Sequence, residues 1–119
     1  MAELGYRGLI GYQKSYEFVK NIYKLAVKLP EYERSNIQTQ IRRAATSIPL
    51  NIAEGYGRKE SKQEFKRFLI IAKGSATEVE VLIELCRDFG YMSEKEYEQI
   101  RGELIEVLKI LSGLIKSCL

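Results

Sequence analysis

Residues 61–90 read SKQEFKRFLIIAKGSATEVEVLIELCRDFG, and this stretch decides the fold. Ser61-Lys-Gln-Glu64 has the form of a capping box, in which a serine and a glutamate satisfy backbone donors at a helix start. Gly90 is a natural left-handed stop. At about 100° per residue, Phe65, Phe68, Leu69, Ala72, Ala76, Val79, Ile83 and Cys86 share one broad face. Ile70, Ile71, Val81 and Leu85 point the other way, with Gly74 among them. Lys62, Lys66 and Lys73 fill the strip between, and Glu80 and Glu84 continue it. A long helix with a core stripe is therefore predicted. Its second apolar stripe exceeds what one small bundle needs.

The flanking segments are helical by the same reasoning. Tyr12 to Leu29 carries two seams at steps of three and four, one through Tyr12, Tyr16, Val19, Tyr23 and Ala26. The other runs through Phe18, Ile22, Leu25 and Leu29, and Pro30 stops the helix. The next helix starts near Tyr32–Ser35 and reaches about Tyr56, with Gly55 and Gly57 marking its end. Ile37, Ile41, Ala44, Ala45, Ile48 and Ile52 form its core stripe, and Pro49 inside it predicts a local kink. A second box, Ser93-Glu-Lys-Glu96, opens a last helix running nearly to Leu119, with Tyr97, Ile100, Leu104, Val107, Leu111, Leu114 and Cys118 as its seam.

Short connections make consecutive helices antiparallel. The prediction is an all-α, single-domain, up-down-up-down four-helix bundle over residues 12–119, preceded by an N-terminal extension over 1–11. The 119-residue length suits one domain, and 45% apolar with 29% charged residues is a globular balance.

Composition narrows the chemistry. There is no histidine, which excludes a histidine base, ligand or pH switch and fails the Glu-x-x-His requirement of a ferritin-like metal site. No metal and no cofactor are implied. Cys86 and Cys118 show no metal or redox spacing and read as core residues, and free thiols suit a reducing cytosol. No run approaches the ~20 apolar residues of a membrane span, and no secretory signal is legible. A cytoplasmic protein is expected.

The net charge of +3 is unevenly spread. Residues 34–73 carry nine Lys/Arg against three Glu, whereas residues 74–119 carry five Lys/Arg against nine Asp/Glu. Arg42, Arg43, Arg58, Lys59, Lys62, Lys66, Arg67 and Lys73 are the candidate phosphate-neutralising residues. The plainer reading is a solvated face with ion pairs between subunits. Ile70, Ile71, Gly74, Val81 and Leu85 are the candidate contact between copies, against a plainer reading of scattered surface apolar residues. Ser47, Asn51 and Glu54 form a candidate structural polar motif. An active-site reading of Glu54 with Ser47 or Ser75 lacks an orienting partner, so no enzyme is expected.

Residues 40–58, QIRRAATSIPLNIAEGYGR, together with SKQEFKRFLIIAKGSATEVEVL over 61–82, resemble the signature of the 23S ribosomal RNA intervening-sequence protein family. The likeness covers most of the chain from Tyr12 onward. Tyr12, near where relatives often carry tryptophan, and Val79, where leucine is commoner, depart from it as packing changes. The resemblance implies a left-handed antiparallel four-helix bundle, in bacteria, that can assemble as a ring-like homopentamer. A related branch, the accessory variability determinant of diversity-generating retroelements, binds nucleic acid and a reverse transcriptase. The expectations that follow are a nucleic-acid-binding accessory protein for RNA or DNA. The alternative is a protein-binding adaptor or scaffold, for example for a reverse transcriptase.

Overall fold

The computed structural model describes residues 2–118. Four helices account for most of them: α1 Ile10–Ala26, α2 Ile37–Tyr56, α3 Lys62–Asp88 and α4 Glu94–Ser117. No strand occurs among the described residues. The domain measures 45 × 24 × 23 Å.

Named contacts fix the directions. Ser75 Oγ lies 2.8 Å from Ser47 Oγ, and Phe65 and Phe68 close on Gly55, so α2 and α3 are antiparallel. Between α1 and α4, Lys14 meets Glu106, Asn21 meets Glu103 and Lys28 meets Glu96. Gln38 of α2 donates to the Ala26 carbonyl at 2.6 Å, while Gly11 packs near Ile52 at the other end. The chain is an all-α four-helix bundle.

The core follows the sequence stripes closely. Phe18, Ile22, Leu25, Ile41, Ile48, Ile52, Leu69, Val79, Ile83, Leu104, Val107 and Leu111 are buried. Apolar burial contributes about 1.5–3 kcal/mol for each such large side chain, so the core is the main source of stability.

Several boundaries differ from expectation, each for a local reason. α1 begins at Ile10, two residues before the expected boundary at 12. It ends at Ala26 and not at Leu29, because Lys28 and Leu29 bond back to Leu25 and Ala26 in tighter three-residue steps ahead of Pro30. A short 3-10 turn, Glu31–Glu33, then delays α2 until Ile37. α2 passes through the buried Pro49 without interruption. At Ser61 only half the capping box forms: Ser61 Oγ accepts from the Glu64 N–H, but the Glu64 carboxylate turns to Arg67. At Ser93 both halves form, at 3.1 and 2.8 Å.

α3 stops as expected. Gly90 takes φ 79°, and the Tyr91 N–H reaches back to the Cys86 carbonyl at 2.8 Å. The Tyr91 hydroxyl donates to buried Glu33 at 2.7 Å, tying the α3–α4 connection to the α1–α2 connection. That bond to a carboxylate raises the Tyr91 pKa above its ordinary value. Burial pushes the Cys86 thiol up to about 11, so the core cysteine stays protonated at neutral pH.

Two faces remain apolar and open. On α3, Ile70 is 50% and Val81 51% exposed, with Ile71 and Leu85 also exposed. On α1, the seam through Tyr12, Tyr16, Val19, Tyr23 and Ala26 is fully buried only at Ala26, while Tyr12 and Val19 are half-buried against the core. Tyr16 and Tyr23 are exposed, and Leu50 of α2 beside them is 66% exposed.

Candidate nucleic-acid interface

Antiparallel packing of α2 on α3 brings the end of one helix beside the start of the other. Gly55 makes this close approach possible: a Cβ there would lie 2.8 Å from Phe68 Cβ and 3.1 Å from Phe65 Cδ1. Gly55 is thus a contact glycine inside α2, not a terminus marker. The connection that follows presents Arg58, Lys59 and Lys62 to solvent.

Here cations and aromatic rings interleave. The Arg58 guanidinium sits 5.0 Å and that of Arg67 4.6 Å from the Phe68 ring centre. Lys59 Nζ lies 4.5 Å from the Tyr56 ring centre, and Tyr56 meets Phe65 edge-on at 6.2 Å. Cation–π contacts of this kind are worth about 0.5–1 kcal/mol at exposed sites and orient the charged groups. Arg58 also meets Glu54 at 3.3 Å, and Arg67 meets Glu64 at 3.3 Å. The bond from Arg67 holds the Glu64 carboxyl below its usual range. Lys62 and Lys66 have no carboxylate within ion-pair distance among the described residues.

The eight predicted cations do not form one patch. Arg58, Lys59, Lys62, Lys66 and Arg67 gather around the α2–α3 connection. Lys73 lies six residues beyond Arg67 along α3, about 9 Å at the helical rise. Arg42 and Arg43 stand near the opposite end of α2, with the Arg42 guanidinium 5.9 Å from the Tyr23 ring. They are near one another in sequence, but α2 is a rod about 30 Å long that holds its two ends apart.

The polar motif also divides. Asn51 Nδ2 donates to the Ser47 carbonyl and Oγ, and Ser47 meets Ser75, joining α2 to α3. Glu54 is exposed and engages Arg58. Ser47 and Ser75 therefore have neither Glu54 nor any other carboxylate among their hydrogen-bond partners. Among the described residues no cluster of three or more acidic or cysteine ligands forms a metal site. No described helix is long and apolar enough to cross a membrane.

The aromatic component of the site was missed at the sequence level. Phe68 was assigned to the core but is half-buried, and its pairing with Arg58 depends on the register across the turn. Only the adjacency of Arg67 and Phe68 was a legible signal.

The family model described as 23S rRNA-intervening sequence protein matches residues 7–113. Among solved structures, the chain is similar to a protein of unknown function from the S23 ribosomal protein family of Bacteroides thetaiotaomicron, determined at 1.70 Å. The two share 32% identity and a TM-score of 0.82, over 90% of this chain and 96% of that one. No curated protein matches the chain.

Proposed function

The chain belongs to the 23S rRNA-intervening sequence protein family, and from that premise we propose that it is a non-catalytic, self-associating accessory protein of the cytoplasm. It binds nucleic acid through the surface around the α2–α3 connection. The observation that carries this reading is the pairing of Arg58 and Arg67 over Phe68 beside Lys62 and Lys66. Lysines and arginines neutralise phosphates and release counterions, and the ring beneath holds the two guanidiniums in place to do so. Glu54, Glu60 and Glu64 border the same surface, so a single copy carries only a modest positive excess. Repetition of the site across an oligomer, five copies in the assembly the resemblance implies, supplies the missing strength through avidity.

The test is binding of a structured RNA and of a single strand across a salt series. Affinity is expected to fall steeply with salt. Lys62→Glu with Lys66→Glu should weaken binding at least tenfold at low salt. Unchanged affinity in that double variant would remove these positions from the proposal. Adaptor function, for example toward a reverse transcriptase, is the second reading. It is favoured by the exposed apolar face of α3 and predicts partner capture that is insensitive to salt and to both substitutions.

A further inference from the structure

Self-association, as proposed above, requires a surface that covers the outer face of α3. A second open apolar surface of this chain has the size and polarity to do so. Tyr12, Tyr16, Val19 and Tyr23 of α1, with Pro49 and Leu50 of α2, line a cleft of about 600 Å³, closed at its Tyr12 end by Tyr6 of the N-terminal 3-10 segment Ala2–Gly8. We propose that the outer face of α3 from one copy lies in the α1–α2 cleft of the next, running parallel to α1. The contact is then heterologous, with two different patches meeting, and this inference rests on the self-association reading.

The two surfaces share a spacing. Along α3 the outward positions Ile70, Gly74, Thr77, Val81 and Leu85 recur at helical steps. Tyr12, Tyr16, Val19, Tyr23 and Val27 recur identically along α1 and just past its end. Aligned in parallel, Gly74 falls opposite Tyr16, Val81 opposite Tyr23 and Leu85 opposite Val27. Gly74 has nothing within 4 Å of where a Cβ would stand, so it leaves a flat place on α3 that a tyrosine ring fills.

Charge selects the direction. The C-terminal half of α3 carries Glu78, Glu80 and Glu84, none with a cation in ion-pair distance among the described residues. At the Tyr23 end of the cleft stand Lys24, Arg42 and Arg43, likewise without a carboxylate partner. The other end bears Arg7 beside the pairs Glu17–Lys20 and Glu54–Arg58, so the larger excess of unpaired cations, three against one, lies at the Tyr23 end. Parallel placement sets acids against bases there, and reversal would bring Lys66, Arg67 and Lys73 against them.

Economy of burial points the same way. A two-fold contact of α3 with itself would cover one open apolar face and leave the cleft wet. The heterologous contact covers both at once. Such contacts close into rings when their rotation permits.

The test uses exposed positions, so the fold is retained. Tyr23→Cys and Val81→Cys are made singly and together in a Cys118→Ser background, leaving buried Cys86 in place. α1 and α3 each pack on α2 and α4, so a disulfide between residues 23 and 81 must join two chains. Under mild oxidation the double variant should give a ladder of covalent oligomers on non-reducing gels, and each single variant should stay monomeric. A second pair, Leu50→Cys with Val81→Cys, should behave alike. Covalent dimers from Val81→Cys alone would show a two-fold α3 contact and overturn the proposal. No cross-link in an oligomeric chain would also overturn it, leaving the cleft to nucleic acid or another partner, while self-association stands. A monomeric mass for the unmodified chain in light scattering would overturn both.

Discussion

Gly55 illustrates what a single residue decides in this bundle. Two aromatic side chains of α3 occupy the space a methyl group would need, one of them at 2.8 Å. Gly55→Ala is therefore expected to destabilise the fold by about 1–3 kcal/mol, the usual cost of overpacking, despite the better helix propensity of alanine. Urea unfolding monitored by circular dichroism would measure it, and no loss of stability would mean the two helices shift freely. The sequence placed a glycine here but offered no means of distinguishing a helix end from a close crossing. Local pattern reports backbone preference, and the crossing depends on which residue of α3 lies opposite. The buried residues were far more legible. Ile41, Ile48, Leu69, Val79, Ile83 and Leu104 were assigned to core stripes and are fully buried, because burial follows helical periodicity directly.

At the level of whole helices, termini depend on specific caps, and the two serine boxes turn out unequal. Ser93 and Glu96 exchange both hydrogen bonds, and those bonds hold the Glu96 carboxyl below its usual range. Ser61 gains one bond while its glutamate serves Arg67. Glu96→Ala should cost about 1 kcal/mol, because it strips the Ser93 backbone N–H of its acceptor, and Glu64→Ala less, because no backbone donor depends on Glu64. Equal losses in thermal unfolding would contradict the difference in geometry. The four helices themselves were legible from their apolar repeats, glycines and prolines. The turn at Glu31–Glu33 was not, since its reason is tertiary: Glu33 is buried to receive Tyr91 and Asn36. The same limit applied to α1. Its tyrosine seam has core-like spacing, yet beyond the four helices only the 3-10 segment Ala2–Gly8 reaches it, and that covers the Tyr12 end alone through Tyr6.

For the molecule as a whole, the surplus of exposed apolar surface on α1, α2 and α3 bears on how stability depends on concentration. If copies bind one another only when folded, association stabilises the native state by mass action. A hundredfold dilution should then lower the thermal midpoint by several degrees, measured by scanning fluorimetry or calorimetry. A midpoint independent of concentration would mean that each chain stands alone. Charge at this scale was only partly legible. The basic middle segment is real in sequence, but folding sends Arg42 and Arg43 to one end of α2 and Arg58 and Lys59 to the other.

An even number of antiparallel helices returns the chain to the side from which it set out. Gly11 packs against Ile110 and Leu114, and Ser117 and Cys118 share a surface hollow with Lys59, Lys62 and Phe65. A polypeptide joined after α4, such as an affinity tag or a fused domain, consequently emerges beside the cationic turn and shades it. Labels for measuring what this protein grips belong instead at the far end, near the hydroxyl latch between Tyr91 and Glu33.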